Sequence, residues 1–134
     1  TKGELMNHNE DKVCFLGHKN NLKNYLSIRE NLLIQGLKLD SYNLDLLEKF
    51  NLRKHIDNSV GTLSFGQQKK LSLVRVLNSD EKILILDEPF VGLDQNSKEF
   101  LKNFMEAKVN ENKTIIFTSH IDFEDDYREI KINE

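Results

Sequence analysis

The chain has one cysteine, Cys14, and one proline, Pro89, among its 134 residues. A lone thiol excludes an internal disulfide and suits a reducing compartment. With a single proline there is no proline-rich linker, and no low-complexity tract or internal repeat occurs. No apolar run approaches the roughly 18 residues that a membrane-spanning helix needs. Positive charge is also not in excess. Nineteen Lys and Arg stand against 22 Asp and Glu, for a net charge of −3. No basic stripe is present to hold a nucleic-acid backbone, so no nucleic-acid partner is expected. The first residue is Thr1, and no charged-then-apolar leader follows it. The expectation is a processed chain or a piece of something longer.

What is there is an ordinary soluble balance, 38% hydrophobic and 31% charged, in a length that suits one domain with a modest core. Three short apolar runs read as buried strands: Val13 to Leu16, Ile83 to Leu86 and Thr114 to Phe117. The second reads as buried on both faces. Ile130 to Ile132 reads as a last, weak strand. Ser27 and Glu30 form a capping-box pattern, S-x-x-E, before a helix with Ile28, Leu32 and Leu33 on its apolar face and Gly36 as its stop. A second helix is expected from Ser41 to Phe50, with Leu44, Leu47 and Phe50 aligned. Residues 51–62 read as loop. A third helix runs to about Asn78 through Leu71, Val74 and Leu77. A fourth spans Gln95 to Lys108, with Phe100, Leu101, Phe104 and Met105 inward. Strands alternating with helices predict a parallel α/β sheet.

Four stretches bear on chemistry. In "LSFGQQKK", Ser64 caps a helix and Gly66 opens its first turn. A helix start offers unpaired N–H groups and the positive end of the macrodipole, which together make an anion site. The same two residues also serve as a plain N-cap and a turn glycine. In "ILILDEPF", Asp87 and Glu88 follow the C-terminal end of a strand, the edge of an α/β sheet where ligands sit. An aspartate there can hold Mg²⁺, directly or through water. The adjacent glutamate can orient a water for attack on a phosphate. Pro89 then ends the pairing. In "FTSH", His120 reaches the same edge, where it can hydrogen-bond a terminal phosphate and the attacking water. "VGLD" supplies Gly92 and Asp94, either a helix entry capped by Asp94 or an active-site turn. Lys69 and Lys70 read as an exposed helix face. His8 and His55 read as solvated, without the spacing of a metal site.

Taken together these stretches resemble the ABC-type ATPases. "LSFGQ" resembles their signature motif, "ILILDEP" the Walker B motif with its catalytic glutamate, "VGLD" the D-loop and "TSH" the H-loop. A match to four fixed letters of LSxGQ arises by chance on the order of once in a hundred thousand starts. The resemblance runs from Val13 to His120. It implies a P-loop NTPase fold, a RecA-like parallel sheet with a helical subdomain, incomplete at its N-terminus. Residues 1–18 and 80–134 would form the α/β core. Residues 19–79 would form the helical subdomain and signature helix. It also implies ATP and Mg²⁺ as cofactors, Glu88 as catalytic base, His120 as catalytic switch and Asp87 as the Mg²⁺ carboxylate. Ser64, Phe65, Gly66 and Gln67 would clamp ATP held by a second ATPase subunit, with Asp94 and His18 also counted at the nucleotide. His18 stands where most of the family has glutamine. There it can bridge metal or water to a membrane partner, or be a turn residue.

Gly17-His18, Gln67-Gln68 and Asp87 to Phe90 look most like the heme-export ATPases of bacterial cytochrome c maturation. The partner implied is an integral membrane permease, and the place is the cytoplasmic face of the bacterial inner membrane. The phosphate-cradling G-x-x-x-x-G-K-[ST] of the family does not occur in the sequence. The expectation is a chain equivalent to the C-terminal two thirds of such a domain, inactive alone. The alternatives are a non-catalytic docking module and a soluble ribosome-associated member.

Overall fold

The three apolar runs form three parallel strands in the order β1-β2-β3: β1 (Val13–Leu16), β2 (Ile83–Leu86) and β3 (Thr114–Phe117). The structure, a computed structural model, describes residues 13–17 and 21–119. His8, His18, His120 and the run Ile130 to Ile132 lie outside the described residues. The strands pair in step. Val13 lies opposite Ile83 and Ile83 opposite Thr114, and the last pairs are Leu16 with Leu86 and Leu86 with Phe117. Their carboxyl ends are therefore level.

Among the described residues four α-helices connect them: α1 (Ile28–Ile34), α2 (Ser41–Lys49), α3 (Phe65–Leu77) and α4 (Gln95–Asn110). Each starts on a side-chain cap, from Ser27, Asp40, Ser64 and Asp94 respectively. Such a cap satisfies donors that the helix itself cannot. The capping box expected at α1 is formed: Ser27 Oγ accepts from the Glu30 N–H at 3.1 Å, and Glu30 Oε1 accepts from the Ser27 N–H at 3.3 Å. Gly36 follows α1 at φ +78°, where a side chain would be strained.

Residues 51–62, expected as loop, carry two short 3₁₀ turns, Arg53–His55 and Val60–Thr62. They fold back on the start of α1. Arg29 N–H donates to Ile56 O at 3.0 Å, Val60 N–H to Leu26 O at 2.9 Å and Gly61 N–H to Asn24 O at 2.9 Å. Asn31 fastens the same region from inside. Its Oδ1 accepts from the Lys23 N–H at 2.8 Å, and its Nδ2 donates to Lys23 O at 3.0 Å and Ser27 O at 2.9 Å. A buried amide bonded through both its oxygen and its nitrogen fixes geometry rather than adding apolar stability.

Strand burial differs from the sequence-based expectation. Helix α3 packs on β1 and α4 on β3. They cover the face that carries Cys14, Leu16, Leu84 and Leu86, all of them buried. On the opposite face Val13, Phe15 and Ile116 are exposed, and Ile83 and Ile85 are only half-buried. No described helix covers that face, so none of the three strands is buried on both sides. Leu33 is exposed as well; α1 turns Ile28, Asn31 and Leu32 inward, the i, i+3, i+4 set. Leu101 and Met105 of α4 are buried, with Phe100 and Phe104 packed at the margin of the core.

Candidate functional site

Level strand ends bring three segments to one edge. One residue past the last pairs stand Gly17, Asp87 and Thr118. The Asp87 N–H donates to Leu16 O at 2.8 Å, and the Thr118 N–H to Leu86 O at 3.1 Å. Thr118 Oγ1 lies 2.7 Å from Asp87 Oδ1 and also accepts the Glu88 N–H at 2.9 Å. Glu88 adopts φ +48°, the left-handed region that non-glycine residues seldom occupy. Asp87 and Glu88 are both half-buried, whereas Pro89 and Phe90 behind them are buried. The Phe90 ring meets Phe117 edge-on, with centroids 6.0 Å apart. This contact seats the loop after β2 on the end of β3.

The start of α3 lies against the same loop. Ser64 and Gln67 form a second capping box. Ser64 Oγ accepts from the Gln67 N–H at 3.2 Å, and Gln67 Oε1 accepts from the Ser64 N–H at 2.8 Å. Both bonds use acceptor oxygens. The Ser64 hydroxyl hydrogen and the Gln67 amide hydrogens stay free of the cap, so the box leaves donors that suit an anion. Ser64 and Phe65 are exposed, Phe65 at 61%.

Lys69 and Lys70, expected on an exposed face, are instead turned to the loop. Lys69 is 4% exposed, and its Nζ lies 3.5 Å from the Asp87 carbonyl oxygen. Burial holds this ammonium below the usual lysine range, and the charges of Asp87 and Glu88 act against that shift. Lys70 pairs with Asp94 Oδ2. Asp94 also caps α4, accepting the Ser97 N–H at 2.8 Å. The Lys70 ammonium, then the Ser97 N–H, hold the Asp94 carboxyl down at about 2. Consecutive lysines of one helix thus hold the two ends of the segment from Asp87 to Asp94.

The oxygen chemistry at the edge fits Mg²⁺. Among the described residues no cluster of three His, Cys, Asp or Glu could cage a metal. Magnesium does not require one: it is commonly held by one or two carboxylates, with waters and substrate phosphates completing the octahedron. Asp87, with Oδ1 engaged by Thr118, presents a fixed carboxylate of that kind. Thr118 and Lys69 were not among the residues expected from sequence. Both signals were available. Pairing "ILILD" with "TIIFT" in step puts Thr118 beside Asp87, and Lys69 precedes the buried Ser72, Leu73 and Val76 by three, four and seven residues.

The model of a family described as ABC transporter matches residues 2–91, and the chain belongs to that family. Its ATP-binding domain is the class that the sheet, the capped α3 and the acidic edge define. The cytochrome c biogenesis ATP-binding export protein CcmA of Ruegeria pomeroyi is 34% identical over 114 residues, 84% of this chain and 56% of the relative. The Nod factor export ATP-binding protein I of Rhizobium meliloti is 34% identical over 75% of this chain and 32% of its own length. NatA of Bacillus subtilis, an ABC transporter ATP-binding protein, is 38% identical over 58% of this chain and 31% of its own length. The chain therefore spans about half or less of these relatives. Among solved structures, an ATP-binding subunit of an ABC transporter superposes with a TM-score of 0.71 at 19% identity, covering 88% of this chain and 52% of that one. A dimeric ATP-binding cassette in a post-hydrolysis state with ADP and Pi gives 0.66 at 23% identity, covering 90% and 57%. These two likenesses establish the fold.

Proposed function

We propose that this chain works as the ATP-hydrolysing subunit of an ABC transporter and energises export through a separate integral membrane permease. The observation that carries the reading is the Asp87–Glu88 pair, fixed at the carboxyl edge of the parallel sheet beside the donor-rich start of α3. Glu88 takes the proton of the water that attacks the terminal phosphate. Asp87 holds Mg²⁺, directly or through water. When bound, the ion neutralises the phosphate oxygens and orients them for in-line displacement. Ser64, Phe65, Gly66 and Gln67 close on ATP held by a second ATPase subunit, so each site is shared across a dimer. Asp94 keeps the adjoining turn in place. His120 is the switch at the terminal phosphate, and His18 links the site to the permease. Residues 1–18 and 80–134 serve as the catalytic core, and 19–79 as the helical subdomain that meets the permease at the cytoplasmic face of the bacterial inner membrane.

The test is Glu88→Gln in the assembled ATPase. Removing one positioned base lowers turnover by about 10²- to 10⁴-fold while ATP binding survives. Phosphate release within a few-fold of wild type would remove Glu88 from the role.

The exported substrate proposed is heme for c-type cytochrome assembly. It is supported by the CcmA relatives and by Gly17-His18, Gln67-Gln68 and Asp87 to Phe90. Deleting the gene should block covalent heme attachment to c-type cytochromes while other cytochromes persist. Normal c-type cytochromes in the deletion strain would sink the assignment and leave the ATPase reading standing.

The second reading is a docking module without turnover. On either reading the 134 residues alone neither bind ATP tightly nor hydrolyse it, because the backbone cradle and its lysine provide most of the phosphate affinity. Adding a phosphate-loop segment in trans separates the two. Restored phosphate release supports the enzyme, and none supports the module.

A further inference from the structure

We propose that Thr118 is the positioning residue for the candidate base, with Lys69 holding the opposite side of the same peptide. The inference rests on Glu88 being that base. The peptide unit between Asp87 and Glu88 is gripped at both polar atoms by side chains from two different elements. Its N–H donates to Thr118 Oγ1 at 2.9 Å, just past β3, and its carbonyl oxygen lies 3.5 Å from Lys69 Nζ on α3. A threonine hydroxyl has one proton to donate. With its oxygen accepting from Glu88 N–H, that proton goes to Asp87 Oδ1 at 2.7 Å. One hydroxyl therefore sets the backbone of Glu88 and the side-chain rotation of Asp87 together. Asp87 Oδ2 remains as the oxygen that can face a cation.

The grip has something to hold. Glu88 sits at φ +48°, a left-handed conformation that crowds the side chain of any non-glycine residue. Such a conformation persists where the surroundings over-determine it. Here they do so through three bonds on consecutive groups. The Asp87 N–H goes to Leu16 O at 2.8 Å, and the next peptide is fixed by Thr118 and Lys69. Thr118 is itself anchored by its own N–H to Leu86 O at 3.1 Å, so sheet register places the hydroxyl. The direction of the Glu88 side chain is thus referred to the end of β3 and to the helix that begins at Ser64. A threonine needed only for its own strand would bond there with its backbone alone.

The test compares Thr118→Val, which keeps the shape, with Thr118→Ser, which keeps the hydroxyl. In the assembled ATPase, with Glu88→Gln in parallel, Thr118→Val is expected to lower kcat by about 10- to 100-fold, in the range of a lost charge-assisted hydrogen bond, with KM for ATP nearly unchanged. Thr118→Ser should recover most of kcat. Lys69→Met should lower kcat in the same sense, and Lys69→Arg should retain it. A second readout needs no turnover. In the nucleotide-free protein, solvent exchange of the Glu88 amide should quicken by about ten-fold or more in Thr118→Val and stay near wild type in Thr118→Ser. Turnover kept by Thr118→Val but lost in Glu88→Gln would overturn the positioning role and leave the ATPase reading intact. An unchanged Glu88 amide in a destabilised Thr118→Val would overturn it too, by showing a merely structural residue. Full turnover in Glu88→Gln would remove both.

Discussion

Gly66 and Gly92 meet backbone to backbone: a Cβ built on Gly66 would lie 2.6 Å from the Gly92 carbonyl oxygen. Gly92, at φ +80°, is covered in turn by the Phe65 ring, 2.9 Å from where its own Cβ would stand. Sequence reasoning gives Gly66 two readings, part of an anion site and a turn glycine. The structure gives it another, contact with the turn before α4. Gly66→Ala brings two opposed effects. Alanine improves helix propensity by about 1 kcal/mol, and the clash costs about 1–3 kcal/mol where a backbone atom must move. The clash should win, because the atom met belongs to a turn held by Lys70 and Asp94 at its far end. Chemical denaturation should show Gly66→Ala less stable than wild type; a gain in stability would mean that the turn yields.

Ser64 has a structural and a proposed chemical task, and two substitutions separate them. Ser64→Ala removes the cap of α3 and should cost about 1 kcal/mol. Ser64→Asp keeps a capping oxygen, and caps of the two types are of similar strength. Its negative charge would face any phosphate at the helix start. Thermal unfolding near wild type with turnover lost is the expected result for Ser64→Asp. Retained turnover would leave Ser64 as a cap and no more.

Asp94 gives the protein a pH-dependent contribution with a definite sign. Its folded pKa, about 2, lies below the ordinary 3.8. The unfolded state therefore binds the proton more readily, and the stabilisation is present above the ordinary value and lost as pH falls through the folded one. The carboxylate is half exposed, so solvent and salt weaken the effect. Asp94→Asn should be less stable than wild type at pH 5, and the gap should close between about pH 4 and 2. Urea midpoints measured across that range check it. A gap that stays constant down to pH 2 would place its origin elsewhere.

The two faces of the sheet should answer differently to truncation. Leu84, fully buried at the centre of β2, should cost about 2–5 kcal/mol on change to alanine. Ile116, 55% exposed on β3, should cost no more than about 0.5 kcal/mol. Denaturation of the two variants decides. A cost at Ile116 equal to that at Leu84 would mean that this face is covered in the assembled protein.

Sequence carried the fold to the residue where local signals were strong. The strands Ile83–Leu86 and Thr114–Phe117 begin and end where the apolar runs do, and the capping patterns at Ser27, Ser64 and Asp94 mark true helix starts. Burial was less legible. An apolar run such as Val13 to Leu16 reads the same whether one face or two is covered, since the covering helices lie elsewhere in the sequence. Charge misled at Lys69. A lysine suggests solvent, yet its helical spacing to Ser72, Leu73 and Val76 sets it on the inward face. Asp87 and Glu88 were legible from the motif. Thr118 becomes legible only once the two strands are paired in step, because its importance lies in a neighbour 31 residues away.

The unstaggered pairing of Val13, Ile83 and Thr114 turns strand length into a chemical parameter. Each strand has four residues from its first pair to its last, and Asp87 and Thr118 follow β2 and β3 at the fifth step. One residue inserted within β3 would carry Thr118 past Asp87 and reverse which side of the sheet every later side chain faces. The same insertion at the exposed turn of residues 111–112, before β3 begins, would leave that count untouched. An insertion compatible with this chemistry therefore belongs in a connection, whereas one within a strand would undo the match between its end and its neighbour's.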